Sequence, residues 1–555
     1  MKKILSIMAA AMLTTAATAQ ETYENAPLAS KDLNGTARYV GMGGAMEALG
    51  ADISTIGTNP AGVGLFRHSV ANVSFGLNAL SSVPDFNDVS KTKMSFDQAG
   101  FVYSMRSGRR SYVNLGFSYT KSRNFNQILS AAGKLNGASQ NKVSGLKNYN
   151  GVYMLQSSNK TLGSNNATCS QLDYLYSNVI LGDGNSVLVD GNHNPVGDNK
   201  DGYLLRQTYV NDNLTLAPTF YNATDFRFGR GTTGYIGEYN FNISGNSNDR
   251  VYWGLTFGLY DVHYNATTVY SENLVDGGQN IGSVTLSDER KITGTGFDVK
   301  AGVIVRPVEE SPFRLGLYVH TPTWYDLSTA NYTRLDNNLD NKYGAHDYGE
   351  VSESYDFKFY TPWRFGVSLG HTVGNYLAIG ATYEYADYGT CDIRVNDGST
   401  VDIWGNAYDE SHSDGAMNKN VKKSLKGVHT LKLGVEFKPE KNFAVRLGYN
   451  YLSPMYSKYG YKDGELNSYG TYYSSTTDYT NWKATKRITA GVGYNYKNFN
   501  VDLAYQYSQT NGDFYPFKSS DNSHGALANA YRNECQATQV SNKRNQVLLT
   551  LGYKF

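Results

Sequence analysis

The chain has 555 residues, a formal net charge of +1, and 57 glycines with 46 tyrosines in a sequence whose mean hydropathy is polar, −0.46. That length exceeds one ordinary soluble domain of about 100 to 200 residues, so it calls for several domains or one large closed architecture; the Gly/Tyr-rich composition suits many strands better than packed helices or a disordered tail. The near-neutral charge gives no basis for nucleic-acid capture, and no stretch reaches the roughly 20 apolar residues of a transmembrane helix, so any membrane crossing must be made by strands.

The chain begins MKKILSIMAAAMLTTAATAQ. Lys2 and Lys3 form a basic start, Ile4 to Leu13 an apolar core, and Ala17-Thr18-Ala19 a small-residue cleavage site, the order expected of a secretory signal over residues 1–19. Its removal takes two lysines and no acids, which lowers the formal charge from +1 to −1. Next, residues 38–66 crowd seven glycines into RYVGMGGAMEALGADISTIGTNPAGVGLF. A dinucleotide loop needs G-x-G-x-x-G between a strand and a helix; here Gly41 and Gly43 are followed by Met46 where the third glycine belongs, so the phosphate reading fails. What remains is a small-residue segment, residues 20–68, able to turn sharply and pack closely in a confined space. Within it, Asn59-Pro60-Ala61-Gly62 reads as a turn: Asn before Pro initiates it, Pro60 fixes φ, and Gly62 can take a positive φ.

From residue 69 onward the recurring feature is alternation of apolar and polar residues, the period of a strand. Val251, Trp253, Leu255, Phe257 and Leu259 share one face, as do Val547, Leu549, Leu551, Tyr553 and Phe555. About 14 strands are expected near 69–79, 94–105, 111–121, 232–245, 250–264, 289–306, 312–321, 355–371, 376–388, 427–438, 442–453, 485–497, 499–509 and 543–555. Short turns such as SNDR at 247–250 alternate with long polar segments, the largest about 123–230. This pattern predicts an all-β fold, a transmembrane antiparallel β-barrel over residues 69–555 with short periplasmic turns, long outer loops and an N-terminal plug in its lumen.

The order Arg38-Tyr39, Gly41, Gly43-Gly44-Ala45, Ala51-Asp52, Ser54-Thr55 and Asn59-Pro60-Ala61-Gly62, just before the first strand, resembles the N-terminal hatch of the long-chain fatty acid transporter (FadL) family, which includes aromatic-hydrocarbon transporters of the TodX type. The match covers residues 38–66 only, and the outer loops align with nothing. The resemblance implies a hatch gated by Arg38, Gly41, Gly43, Gly44, Asp52, Asn59, Pro60, Ala61 and Gly62. It also implies passive uptake of a small hydrophobic ligand across the outer membrane of a Gram-negative bacterium, with release through the barrel wall and no cofactor. The expected partners are that ligand, the bilayer with its lipopolysaccharide, and the barrel-assembly machinery reading the last strand at Phe555; a monomer is expected.

Other constellations are weaker. Gly366 to Gly370, GVSLG, matches a G-x-S-x-G nucleophile elbow, yet that motif needs a strand-to-helix turn and Ser368 lies inside an alternating run, with His371 on the opposite face. An outer-membrane acyl hydrolase is therefore one alternative, and a general porin or surface adhesin another. Asp190, Asn192, Asn194 and Asp201 have calcium-loop spacing, but Pro195 stands where the loop glycine belongs. Cys169, Cys391 and Cys535 show no metal spacing and are expected in loops. Lumen-facing charge is expected at Glu238, Asp298, Lys300, Arg314, Lys358, Arg364, Lys432, Glu436, Arg446 and Asp502, where one or two cations could receive a ligand carboxylate.

Overall fold

Fourteen antiparallel strands form one closed sheet in a computed structural model that describes residues 21–143, 179–181, 208–210, 216–218, 221–339, 353–401, 407–463, 466, 476–520 and 532–555, apart from 82 and 88. In chain order they are β1 (Val70–Ser81), β2 (Thr92–Arg106), β3 (Tyr112–Asn124, continuing at Gln127–Lys134), β4 (Asn222–Ser247), β5 (Val251–Asp276) and β6 (Gln279–Val305). Then come β7 (Arg314–His320 and Trp324–Leu339), β8 (Glu353–Tyr360 and Arg364–Val373), β9 (Leu377–Asp387 and Asp392–Val401) and β10 (Gly427–Glu440). The last four are β11 (Phe443–Leu452), β12 (Tyr479–Tyr496), β13 (Phe499–Tyr515) and β14 (Thr538–Lys554). β14 returns to β1 in register from Val70↔Lys554 to Ser81↔Lys543, so the sheet closes on itself. The period of two is realised as expected: on β14 Leu549 is 39% exposed while Leu548 is fully buried.

Several expected boundaries move outward. β5 and β6 extend to a two-residue turn at Gly277 and Gly278, both at positive φ, as a tight hairpin of right-handed strands requires. The segment between about 265 and 288, expected to be loop, is therefore strand. Beyond the apolar belt an outward face no longer needs to be greasy, which is why the apolar alternation fades there while Thr, Val and Tyr keep the backbone extended. Likewise 127–134 and 222–230, assigned to the largest loop, are paired strand.

Three neighbouring strands break at one level. β7 is interrupted at Thr321-Pro322-Thr323, β8 at Thr361-Pro362-Trp363, and β9 by a short 3₁₀ turn, Tyr388–Thr390, with Cys391. Proline cannot donate to a ladder, which accounts for the breaks in β7 and β8; all three breaks insert residues that shift the alternation by one. On β8, Ser368 points inward below the break, whereas Phe357 and Phe359 point inward above it. Lys358 thus falls on the face opposite those two phenylalanines, correcting its expected lumen position. Cys391 is 4% exposed in the core and free, which corrects its expected place in a polar loop; Cys535 is free and half-buried, and Cys169 lies outside the described residues.

The N-terminal segment runs through the interior. It contains α1 (Thr22–Ala29), α2 (Ala37–Gly41) and two 3₁₀ turns, Ile53–Gly57 and Pro60–Leu65. α3 (Gly415–Ser424), carried by the β9–β10 connection, folds over α1, with Met417 and Val421 buried beside Tyr23, Ala26 and Leu28. Thr22 Oγ1 donates to Met417 Sδ at 3.3 Å.

Candidate functional site

The segment after α1 is seated against the barrel nearly all the way round, through single hydrogen bonds from inward side chains to its backbone. Thr550 on β14 accepts from Ala37 N at 2.7 Å, Thr489 on β12 donates to Gly41 O at 3.1 Å, and Asn450 on β11 donates to Gly43 O at 3.3 Å. Arg314 on β7 donates to Leu49 O at 2.9 Å, Thr256 on β5 to Ile56 O at 3.0 Å, and Asn114 on β3 to Val63 O at 2.7 Å. The barrel wall makes room with glycines: a Cβ at Gly380 would collide with Ala45 O, and one at Gly434 with Met42 O.

The resemblance residues come together in this layer. Arg38 grips Glu436 through Nε and Nη2 at 2.9 and 3.2 Å and donates Nη1 to Ala51 O. Asp52 caps the first 3₁₀ turn, accepting from Ser54 N and from Thr36 Oγ1, each at 2.9 Å. Asn59 caps the second, with Pro60 at its first position; its Nδ2 reaches Glu47 O at 3.0 Å. Ala61 is fully buried, and Gly43 and Gly44 sit at φ +63° and +80°. Gly62 differs from expectation: its φ is not positive, and glycine is needed because a Cβ would press on the Thr55 side chain. The expected lumen charges pair as well. Lys432 holds the fully buried Glu47 at 2.7 Å, Lys300 contacts Asp298 and Glu238, Arg446 bridges Glu436 and Asp502, and Arg364 meets Glu384. Glu47, Asp32 and Asn34 were not singled out from the sequence; an Asp and a Glu inside an otherwise small-residue segment was the available signal.

Above this layer lies a cavity of about 240 Å³, between α1, the bend in β3 and the connection from β11 to β12. Aromatic rings line it: Tyr23 stacks on Tyr456 with centroids 5.2 Å apart, Phe125 meets Tyr264 edge-on, and Trp482 completes one side. Charge is interleaved with them. Glu24 of α1 reaches Lys462 at 3.0 Å and also contacts Arg290; burial alone would raise its carboxyl, yet Arg290 and Lys462 hold it well below the usual carboxylate range. Glu21, fully buried at the N-cap of α1, is pushed the other way, to about 7, by burial, with Lys462 opposing and Glu24 adding to the shift.

Beside the cavity the wall is incomplete. β2 and β3 pair only from Arg106↔Tyr112 to Gln98↔Thr120; past that point β2 pairs with β1 alone. β3 instead bends, with a register shift between Lys121 and Arg123 against β4 and Phe125 N donating to Gly234 O, where φ is +107°. Two residues of the N-terminal segment fill this notch. Asn34 Nδ2 donates to Asp97 Oδ1 on β2 at 2.9 Å and to Lys121 O on β3 at 3.0 Å, and its Oδ1 accepts from Gln546 on β14. Asp32 N donates to Ser122 O at 2.8 Å, and its carboxylate accepts from Arg123 Nη1 and Asn124 N, each at 3.0 Å.

Ser368 lies mid-strand on β8, 1% exposed, with no hydrogen-bond partner for Oγ among the described residues, so the strand-to-helix elbow is not formed. The loop around Asp190, including Asn192, Asn194 and Asp201, falls outside the described residues. Among those residues no cluster of His, Cys, Asp and Glu could hold a metal.

Fold and interior define a closed 14-stranded membrane-type barrel whose lumen is occupied by its own N-terminal segment. No family model and no curated protein matches the chain. Among solved structures it is similar to a Pseudomonas aeruginosa FadL homologue, at 11% identity and a TM-score of 0.49, covering 95% of this chain and 100% of that one. It is also similar to the Pseudomonas putida toluene transporter TodX, at 10% identity, a TM-score of 0.44 and coverage of 95% and 100%. The Ralstonia pickettii toluene transporter TbuX is similar at 12% identity and a TM-score of 0.42, over 94% of this chain and 99% of that one.

Proposed function

We propose that the protein is an outer-membrane channel for passive uptake of small, predominantly hydrophobic molecules, with the N-terminal segment as its hatch. The observation that carries this reading is the notch between β2 and β3, beside an aromatic-lined cavity and filled by Asn34 and Asp32. The seated layer around Arg38 and Asn59 crosses the lumen, so a straight aqueous path is closed. A molecule held in the cavity lies next to a stretch of described wall where two sequence-adjacent strands part, and displacing residues 30–35 would open that stretch toward the bilayer. A hydrophobic cargo suits such a route, because it gains about 25 cal/mol per Å² of apolar surface on leaving water and needs no aqueous exit. No covalent step is required. The last strand, β14, with Phe555 after it, would present itself to the barrel-assembly machinery, and because the sheet closes within one chain a monomer suffices for the barrel.

The first test is mass spectrometry of organic extracts from protein purified in mild detergent. A hydrophobe in near-stoichiometric amount is expected; an empty barrel that passes sugars in liposomes would favour the porin instead. A second test replaces Asn59 and Pro60 by Ala, which is expected to leave the barrel folded and change uptake. Unchanged uptake would remove the hatch assignment.

A further inference from the structure

The cavity carries an unbalanced charge at one point. Three guanidinium groups, Arg123 on the bend of β3, Arg487 on β12 and Arg544 on β14, converge on the single carboxylate of Asp32, with N···O separations of 3.0, 3.6 and 3.1 Å. All four residues line the cavity. Elsewhere on its surface Arg230 meets Asp478, Lys31 meets Glu238 and Lys483 meets Asp513, while Arg290 and Lys462 share Glu24; at Asp32 three cations meet one carboxylate. The triad's other contacts are neutral. Arg487 donates to Asn450 Oδ1 at 2.9 Å and Arg544 to Asn124 O at 3.3 Å, while Arg123 Nε is buried without a partner among the described residues. The Arg487 side chain is only 7% exposed and that of Arg544 14%.

Two surplus positive charges held in place by three strands are costly to leave uncompensated in a partly dry interior, and they are preorganised for an anion. Guanidinium forks match the paired oxygens of phosphate and carboxylate better than a point cation does. We infer that the cavity binds an amphiphile whose head carries two negative charges, a phosphate monoester or a pair of carboxylates, seated among Arg123, Arg487 and Arg544 with its apolar body against Tyr23, Tyr456 and Trp482. The head competes with Asp32 for the same donors. Asp32 also ties the N-terminal segment to Ser122 and Asn124 at the bend, so a bound dianion loosens the hatch where the wall is incomplete. This inference rests on the reading of the cavity as the ligand site and adds the charge of the ligand.

The test is isothermal titration of the purified full-length protein in non-ionic detergent at pH 7.5 with decyl phosphate, decylmalonate, decanoate and decanol. Decyl phosphate is close to dianionic at that pH. Either dianion is expected to bind at least tenfold tighter than decanoate, with an affinity that falls as salt rises; the two dianions together report which head is preferred. Arg487→Gln should cut dianion affinity about tenfold and leave decanol binding unchanged. Asp32→Asn, which removes the internal competitor, should tighten dianion binding severalfold. Equal affinity for decanol, decanoate and the dianions would overturn the charge assignment while sparing the uptake reading. No binding by any of the four would remove the cavity as the ligand site, and the inference with it. Should Arg487→Gln lose the barrel's heat-resistant migration on gels, Asp32→Asn decides alone: unchanged or weaker dianion binding would overturn the proposal.

Discussion

At the scale of single residues, the interior is held by charged groups that would be prohibitively costly unless paired. Arg38 shows the arrangement: it closes on Glu436, which keeps Arg446 as a second partner. Arg38→Ala should therefore weaken the seating of residues 36–58 without stranding a buried carboxylate, at a cost of about 1–3 kcal/mol. Hydrogen exchange would show this as faster exchange confined to those amides, with the strands unaffected. Glu21 has the opposite balance. Its folded value, about 7, lies above the ordinary 4.5, so the folded state holds its proton more tightly than the unfolded chain does. The docking of α1 is then strongest below pH 4.5, weakens as pH rises through the interval from 4.5 to 7, and stays weakened above it. Proteolysis at residues 21–35 is expected to speed up between pH 5 and pH 8, and Glu21→Gln should flatten that dependence. An unaltered pH profile in the variant would assign the effect to another group.

Single elements show why the wall and the segment depend on each other. β9 and β10 approach the segment so closely that Gly380 and Gly434 leave no room for a side chain. Gly434→Val faces the lumen, so the barrel should still close, but Met42 can no longer seat; single-channel recordings are expected to show a larger and noisier conductance than the native protein. β3 displays the complementary feature, a strand that abandons one neighbour. Asn34→Ala removes the bonds that span the gap to Asp97 and Lys121, and faster cargo release into liposome bilayers is the expected outcome; slower or equal release would move the exit elsewhere. Period two made all of these strands legible at least in part, but the break at Pro362 was read through and the strand that resumes at Trp324 after Pro322 was missed. An inserted residue changes which face is inward without disturbing the apolar content of either half, which is why Lys358 was placed on the wrong side.

For the whole molecule, closure and occupancy are separate achievements. The ladder from β1 to β14 uses strand residues only, so a variant lacking residues 21–67 should still form a heat-modifiable barrel. It would expose Lys432, Glu436 and Arg446 to water and conduct ions freely. Lower thermal stability is expected, through loss of the partners that Glu47 and Arg38 supply. Failure of that variant to form any barrel would mean that the segment acts as a folding nucleus.

What the sequence by itself determined is set by local and periodic physics. Alternation defined the strands, the short turns set the hairpins, the even count near 14 followed, and Asn59-Pro60 marked a turn within a segment too small in its side chains to be a strand of the wall. The tertiary structure decided everything that depends on which distant residues meet. Asp32 reads alone as an ordinary acid in SKDLNG, and Arg123 lies hundreds of positions before Arg487 and Arg544, which sit on different strands. Only closure of the barrel brings three guanidinium groups onto one carboxylate, because strands adjacent in space come from opposite ends of the chain and convergence across a lumen leaves no period in the sequence.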